Sequence, residues 1–155
     1  MIAITLPDGS IREYNKGITA LEIAKSISEG LARNVLAAEL DGEVIDAMLP
    51  IEKNARLSLL TWNDKGGKST MWHSSAHLMA EAIEALYPGT KLAIGPAIEN
   101  GFYYDIDLGS HHISDADLPK IEKKMIELAR EKNEYIRQEF SKEDAIAYFS
   151  EKQDE

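Results

Sequence analysis

Two strand–turn–strand patterns on either side of one capped helix constrain the fold more than anything else in this chain. Ile2-Ala3-Ile4-Thr5-Leu6 alternates, Pro7-Asp8-Gly9-Ser10 is a turn, and Ile11-Arg12-Glu13-Tyr14 alternates again. That is the pattern of a hairpin with one face buried. Gly17 breaks it. Thr19-Ala20-Leu21-Glu22 fits a capping box, in which hydroxyl and carboxylate satisfy the free amides of a helix start. Leu21, Ala24, Lys25 and Ile27 suit a short amphipathic helix, ending near Glu29-Gly30 with Gly30 as its C-cap. Val35 to Leu40, the Asp41-Gly42 turn and Glu43 to Ile45 read as a second hairpin. Leu57 to Thr61 reads as a last strand. The economical solution is an α+β fold of the β-grasp, ubiquitin-like kind: a small mixed sheet with one helix laid across it.

Residues 1–62 thus form a first domain. Residues 63–69, Asn63-Asp64-Lys65-Gly66-Gly67-Lys68-Ser69, are polar and Gly-rich and read as a linker. Residues 70–155 open a second, α+β domain. Its first helix runs from Thr70 to about Tyr87, with Trp72, Ala76, Met79, Ile83 and Leu86 as the buried stripe. Lys91 to Ile98 and Phe102 to Ile106 flank Glu99-Asn100-Gly101 as a hairpin. Leu108 to Ser114 is a loop. A helix follows from Asp117 to about Asn133, with Leu118, Ile121, Met125 and Leu128 on one face. Tyr135 to Phe140 alternates as a strand, and Ser141 starts a final helix. These few strands leave several amphipathic helices to cover, so the second domain is expected to be incomplete, cut inside a larger protein.

The chain has no cysteine, which removes disulfides and thiolate chemistry. No apolar run reaches transmembrane length, and the first residues enter a strand rather than a signal-peptide core. The expected location is the cytoplasm, with no membrane partner. With 17 basic and 27 acidic residues the net charge is −10. Tight nucleic-acid binding by this chain alone is therefore not expected, because phosphate contacts dominate such affinity.

Two segments are dense in chemistry. His73 and His77 lie four residues apart in Met71-Trp72-His73-Ser74-Ser75-Ala76-His77, so a helix aims both imidazoles to one side. They read in three ways: polar-face residues, two ligands of a zinc site that needs a third, or a metal-free site holding a hydroxyl or a water. Ser74 stands where the zinc-protease pattern requires Glu. The second segment is Gly95-Pro96-Ala97-Ile98-Glu99-Asn100-Gly101-Phe102-Tyr103-Tyr104-Asp105, where consecutive aromatics point to opposite faces of a strand. Gly66-Gly67-Lys68-Ser69 invites a phosphate-loop reading, but Trp62 occupies the position of the loop's first glycine. His111, His112, Asp105 and Asp107 read as solvated surface or strand-end residues.

Together these residues resemble the N-terminal region of bacterial threonyl-tRNA synthetases. Ile4-Thr5-Leu6-Pro7-Asp8-Gly9-Ser10 is similar to the start of the TGS domain, a β-grasp module. His73-Ser74-Ser75-Ala76-His77 resembles the His-x-x-x-His motif of the editing domain, and Gly95 to Asp105 resembles that domain's next signature. The resemblance implies an enzyme that joins threonine to its tRNA using ATP and hydrolyses mischarged seryl-tRNA. It implies that His73 and His77 act in the editing site, that Tyr104 lines the pocket, and that Gly95 allows close backbone approach. It implies no metal and no cofactor within this chain, with ATP, Mg and Zn in the family's catalytic region. tRNA is the implied partner of a homodimeric parent. The family's editing site also uses a lysine and a Cys/His pair further along, so this chain alone is expected to be nearly inactive. Two other readings are a TGS-containing regulatory or binding module and a zinc-dependent trans-editing hydrolase.

Overall fold

A computed structural model describes residues 1–133 and 136–151. The chain divides into two compact units, Met1–Ser75 with Pro96–Tyr103, and Ala76–Gly95 with Tyr104–Glu155.

In the first unit β1 (Ile2–Thr5) pairs antiparallel with β2 (Ile11–Tyr14), Ile2 opposite Tyr14. The turn between them is held by the Asp8 carboxylate, which accepts from the Ser10 amide at 2.9 Å and the Ser10 hydroxyl at 2.6 Å. After β3 (Ile18–Thr19) comes α1 (Ala20–Ile27), started by the expected capping box. The Glu22 amide donates to Thr19 Oγ1 at 3.2 Å, and the Thr19 amide donates to the Glu22 carboxylate at 2.8 Å. Thr19→Ala should cost about 1 kcal/mol. A urea titration that leaves the midpoint unmoved would contradict this role for the cap.

Gly30 does not cap α1. Ser28 ends α1, its amide bonded to the Ala24 carbonyl at 2.9 Å, and its hydroxyl starts α2 (Glu29–Asn34) by accepting the Leu31 amide at 3.0 Å. A serine oxygen close to free amides is enough to start a new helix, and Gly30 is taken into its first turn. The buried face of α1 is Ala20, Ile23 and Ala24, while Ile27 is partly exposed.

β4 (Ala37–Leu40) and β5 (Glu43–Ile45) form the second hairpin, with Asp41 at φ +53° and Gly42 at φ +92°. Two left-handed residues in a row match the twist of the strands they join. β6 (Pro50–Ile51) pairs with β3. β7 (Ala55–Leu60) lies parallel to β1 and antiparallel to β4, which gives a five-stranded sheet in the order β2-β1-β7-β4-β5. Ile2, Ile4, Ile23, Ala38, Ile51 and Leu57 are among the residues of the core between sheet and helix. This is the expected β-grasp.

The expected linker is largely helix: α3 runs unbroken from Lys65 to Leu86 and crosses the boundary between the two units. Its start is fixed. The Asp64 carboxylate accepts from the Thr61 amide at 2.8 Å and the Thr61 hydroxyl at 2.9 Å, and the Lys68 amide donates to the Asp64 carbonyl at 2.9 Å. Gly66 and Gly67 are there for close approach rather than flexibility. A Cβ on Gly67 would lie 2.0 Å from the Thr61 carbonyl oxygen, and one on Gly66 would lie 2.8 Å from Leu60 Cδ1. Backbone pressed this closely also leaves no loop to wrap a phosphate.

Four short strands follow: β8 (Lys91–Leu92), β9 (Ala97–Ile98), β10 (Gly101–Phe102) and β11 (Ile106–Asp107). β9 and β10 form a tight hairpin in the first unit, and β8 and β11 pair in the second. The second unit also holds α4 (Leu118–Glu131), with a proline in its first turn, and α5 (Lys142–Glu151). Ile121 is buried on α4, but Leu118 is 54% exposed. The strand expected at 135–140 is absent over residues 136–140, and Tyr135 lies outside the described residues. Ile136 is exposed, and alternation makes a strand only where a sheet offers a partner. Ser141 starts α5: the Asp144 amide donates to its hydroxyl oxygen at 3.1 Å. Among the described residues no helix is long and apolar enough to cross a membrane.

Asp117, just before α4, is nearly buried. Its carboxylate accepts from the Ser114 hydroxyl at 2.7 Å, the Ser114 amide at 3.0 Å, Lys120 Nζ at 3.0 Å and the Tyr87 hydroxyl. His111 Nε2 lies 3.9 Å away, and its ring stacks on Tyr87 at 4.6 Å between centroids. His111 is exposed, as its sequence context suggests, with one face of its ring stacked on Tyr87. The Ser114 hydroxyl first, then Lys120, hold the Asp117 carboxyl well below its ordinary 3.8. A carboxylate lowered on folding contributes stability that is whole above about pH 4 and is lost as pH falls below it. Asp8, Glu22 and Asp64 are lowered in the same direction, chiefly by Ser10, Thr19 and Thr61. Melting temperature should fall between pH 4 and pH 2, and less steeply in Asp117→Asn; equal slopes would contradict this.

Candidate functional site

α3 carries both histidines. Four residues on a helix rise about 6 Å, so His73 and His77 stand one turn apart on one side. Both are exposed, while Ala76 and Ala80, three and seven residues after His73 on the same side of the helix, are buried, as is Ile83 further round. Of the expected buried stripe, Ala76 and Ile83 are fully covered, and Trp72, Met79 and Leu86 are half-buried.

The second group is built by Gly95 and Tyr104, both in the second unit. A Cβ on Gly95 would fall 2.2 Å from Tyr104 Cδ2 and 2.3 Å from Cε2. The close approach that Gly95 permits is therefore to the Tyr104 ring itself. Backbone pairing fixes the segments on either side: the Ala93 amide donates to the Asp105 carbonyl at 3.0 Å, and the Asp105 amide to the Ile94 carbonyl at 2.9 Å. Tyr104 is half-buried and Tyr103 is 49% exposed, in keeping with alternate faces of an extended segment. The Asp107 carboxylate accepts the Gly109 amide at 2.8 Å and so serves a turn.

Metal chemistry needs at least three donors converging on one point. Among the described residues no three His, Cys, Asp or Glu side chains are grouped to hold an ion. The two imidazoles do not by themselves make a zinc site. What they offer chemically is two groups that hold a hydroxyl or a water and exchange its proton.

Sequence reasoning missed two clusters. One is Tyr87, His111 and Asp117, above. The other lies in the first unit, where Trp62 meets Trp72 edge to face at 5.4 Å and Trp72 reaches Phe102 at 6.4 Å. The rarity of tryptophan here, two in the chain, was the available signal.

Comparison with known proteins adds to this geometry. Residues 2–61 match the TGS domain. Over 99% of its length the chain is 67% identical to the threonine–tRNA ligase of Cytophaga hutchinsonii. It is 56% identical over 98% of its length to that of Phocaeicola vulgatus, and 55% over 100% to that of Parabacteroides distasonis. In each case the match covers 24% of the ligase, so the chain spans about a quarter of the length of these relatives.

Proposed function

For a chain of the threonine–tRNA ligase family, holding its TGS domain and part of its editing domain, we propose that the second part is one wall of a proofreading site. The observation that carries this reading is the exposed His73–His77 pair on α3, within a chain whose own full length is matched by 24% of such a ligase.

The physical need for such a site is plain. Serine lacks one methyl of threonine, and a pocket rejects the smaller side chain only about 10- to 200-fold. A second site that hydrolyses seryl-tRNA corrects the remainder. In that reaction a water oxygen attacks the carbonyl carbon of the seryl ester, and the bond from that carbon to the ribose oxygen breaks. The water proton passes to the departing ribose oxygen, leaving serine and uncharged tRNA. His73 and His77 hold the ribose hydroxyl or the water and carry the proton. Tyr104, braced against Gly95, lines the pocket. Threonyl ester is spared where its methyl meets the place of the attacking water.

The whole ligase charges tRNA with threonine using ATP, acts as a homodimer in the cytoplasm, and supplies the donors that finish the editing site. The first 62 residues are the TGS domain, and the part from 70 onward belongs to editing. The test is a charging assay with serine. The intact ligase bearing His73→Ala and His77→Ala should accumulate seryl-tRNA while charging threonine at the normal rate. No accumulation would overturn the reading.

A further inference from the structure

The turn of the β9–β10 hairpin is Glu99-Asn100, and Gly101 follows at once. Of the six asparagines in the chain, Asn100 alone precedes a glycine. It is exposed, and its side-chain amide makes no hydrogen bond among the described residues. Apart from its chain neighbours, no described atom lies within 4 Å of where a Cβ on Gly101 would stand, so the Gly101 nitrogen is open on that side. The ladder behind the turn has two pairs, Ile98 with Gly101 and Ala97 with Phe102. A ladder that short is marginally stable, so the turn opens locally at little cost and frees the Gly101 amide. The other asparagines and the Asp-Gly pairs are held or shielded. Asn34, Asn54 and Asn133 engage their side chains with the Gly30 carbonyl, the Ala3 amide and the Glu131 carboxylate. Asn15 and Asn63 precede Lys16 and Asp64, whose side chains crowd the following amide. Asp8 and Asp41 precede glycine, but their carboxylates accept from Ser10 and from the Arg56 amide, and a carboxylate anion is a poor electrophile.

We propose that Asn100 is a site of spontaneous covalent modification, converting to aspartate and isoaspartate through a cyclic imide closed by the Gly101 nitrogen. The Gly101 amide gives its proton to base, and its nitrogen attacks Asn100 Cγ. The new N–Cγ bond closes a five-membered ring. The Cγ–Nδ2 bond breaks, and the departing nitrogen takes up a proton from solvent and leaves as ammonia. Water then opens the ring at either carbonyl carbon. Opening at Cγ leaves aspartate. Opening at the backbone carbonyl of residue 100 leaves isoaspartate, with the main chain running through the former side chain. Nothing is oxidised or reduced, and water is the only co-reactant. Either product carries a carboxylate that is ionised near neutral pH. Isoaspartate also adds a carbon to the backbone at the turn, so Gly101 no longer faces Ile98 in register. Only the hairpin of the first unit is involved, so this site and the proofreading reading stand or fall separately.

The test follows the 155-residue chain, folded, in mildly alkaline buffer. Samples taken over time are digested and read by mass spectrometry, and isoaspartate is counted by enzymatic methylation. The peptide holding Asn100 should gain the mass difference between a hydroxyl and an amino group. The gain should grow with time and in proportion to hydroxide, because the nucleophile is the deprotonated amide. Peptides holding the other five asparagines should lag far behind. The chain unfolded in guanidinium gives the unrestrained rate, and the folded chain should react at Asn100 within roughly tenfold of it, as a turn that opens at little cost must. Asn100→Gln, verified as folded by circular dichroism, should lose the signal, because glutamine has to close a six-membered ring, which forms far more slowly. An Asn100 left intact in the folded chain while the unfolded chain converts, equal conversion at the other asparagines, or the same isoaspartate count in Asn100→Gln would each overturn the proposal.

Discussion

Seryl-tRNA hydrolysis by the intact ligase should fall about 10²- to 10⁴-fold when His73 and His77 are both alanine, with threonine charging intact. That range corresponds to about 2.7–5.5 kcal/mol of transition-state stabilisation. The effect should be non-additive. Two imidazoles one turn apart on α3 that hold the same hydroxyl or water act as a unit, so either single variant should lose most of what the double loses. Exposed helix-face residues without a role would give near-normal rates in all three variants. Single-turnover hydrolysis of preformed seryl-tRNA separates these outcomes, because it isolates ester cleavage from charging. A lowered rate with unchanged tRNA affinity would place the loss in the chemical step.

Gly95→Ala should be the other large effect. The added Cβ would lie 2.2 Å from the Tyr104 ring, far inside contact distance, so the ring must move. Overpacking of this kind costs about 1–3 kcal/mol. The partner in the clash is a side chain rather than backbone, which makes the cause testable by a double-mutant cycle. In a Tyr104→Ala background the same glycine substitution should cost far less, because nothing stands in the way of the new methyl. Urea unfolding of the four variants measures this directly. Equal cost in both backgrounds would show that Gly95 matters for another reason. Under the proposed function the single variant should also slow proofreading in the intact ligase, because that proposal gives Tyr104 a place in the pocket lining.

How much of this was legible in the sequence depended on how local the determinant was. The turns at Pro7–Ser10 and Asp41–Gly42 and the Thr19–Glu22 box are set by residues within a few positions of each other, and all three formed as read. The parallel pairing of β1 with β7 joins Ile4 to Ala55, and no local pattern announces it. Glycine was the weakest signal. Gly66 and Gly67 read as flexibility, yet they let the start of α3 press against Leu60 and Thr61. Gly30 read as a stop, yet Ser28 supplied both the stop and the next start. Residues 136–140 alternate without a strand partner among the described residues. The histidine spacing gave the orientation of His73 and His77 because helical period is local. The stacking of His111 on Tyr87 and the contact of Gly95 with Tyr104 are tertiary, and only the structure brings those residues together.

The most direct test of the central claim compares single-turnover deacylation of seryl-tRNA by three proteins under one set of conditions: the intact ligase, its His73→Ala/His77→Ala form, and this 155-residue chain alone. Rapid release of serine is expected from the first, and near-uncatalysed rates from the second and third. Rapid hydrolysis by the histidine-free ligase would show that α3 is not a wall of the proofreading site, and rapid hydrolysis by the chain alone would show that its site needs nothing more.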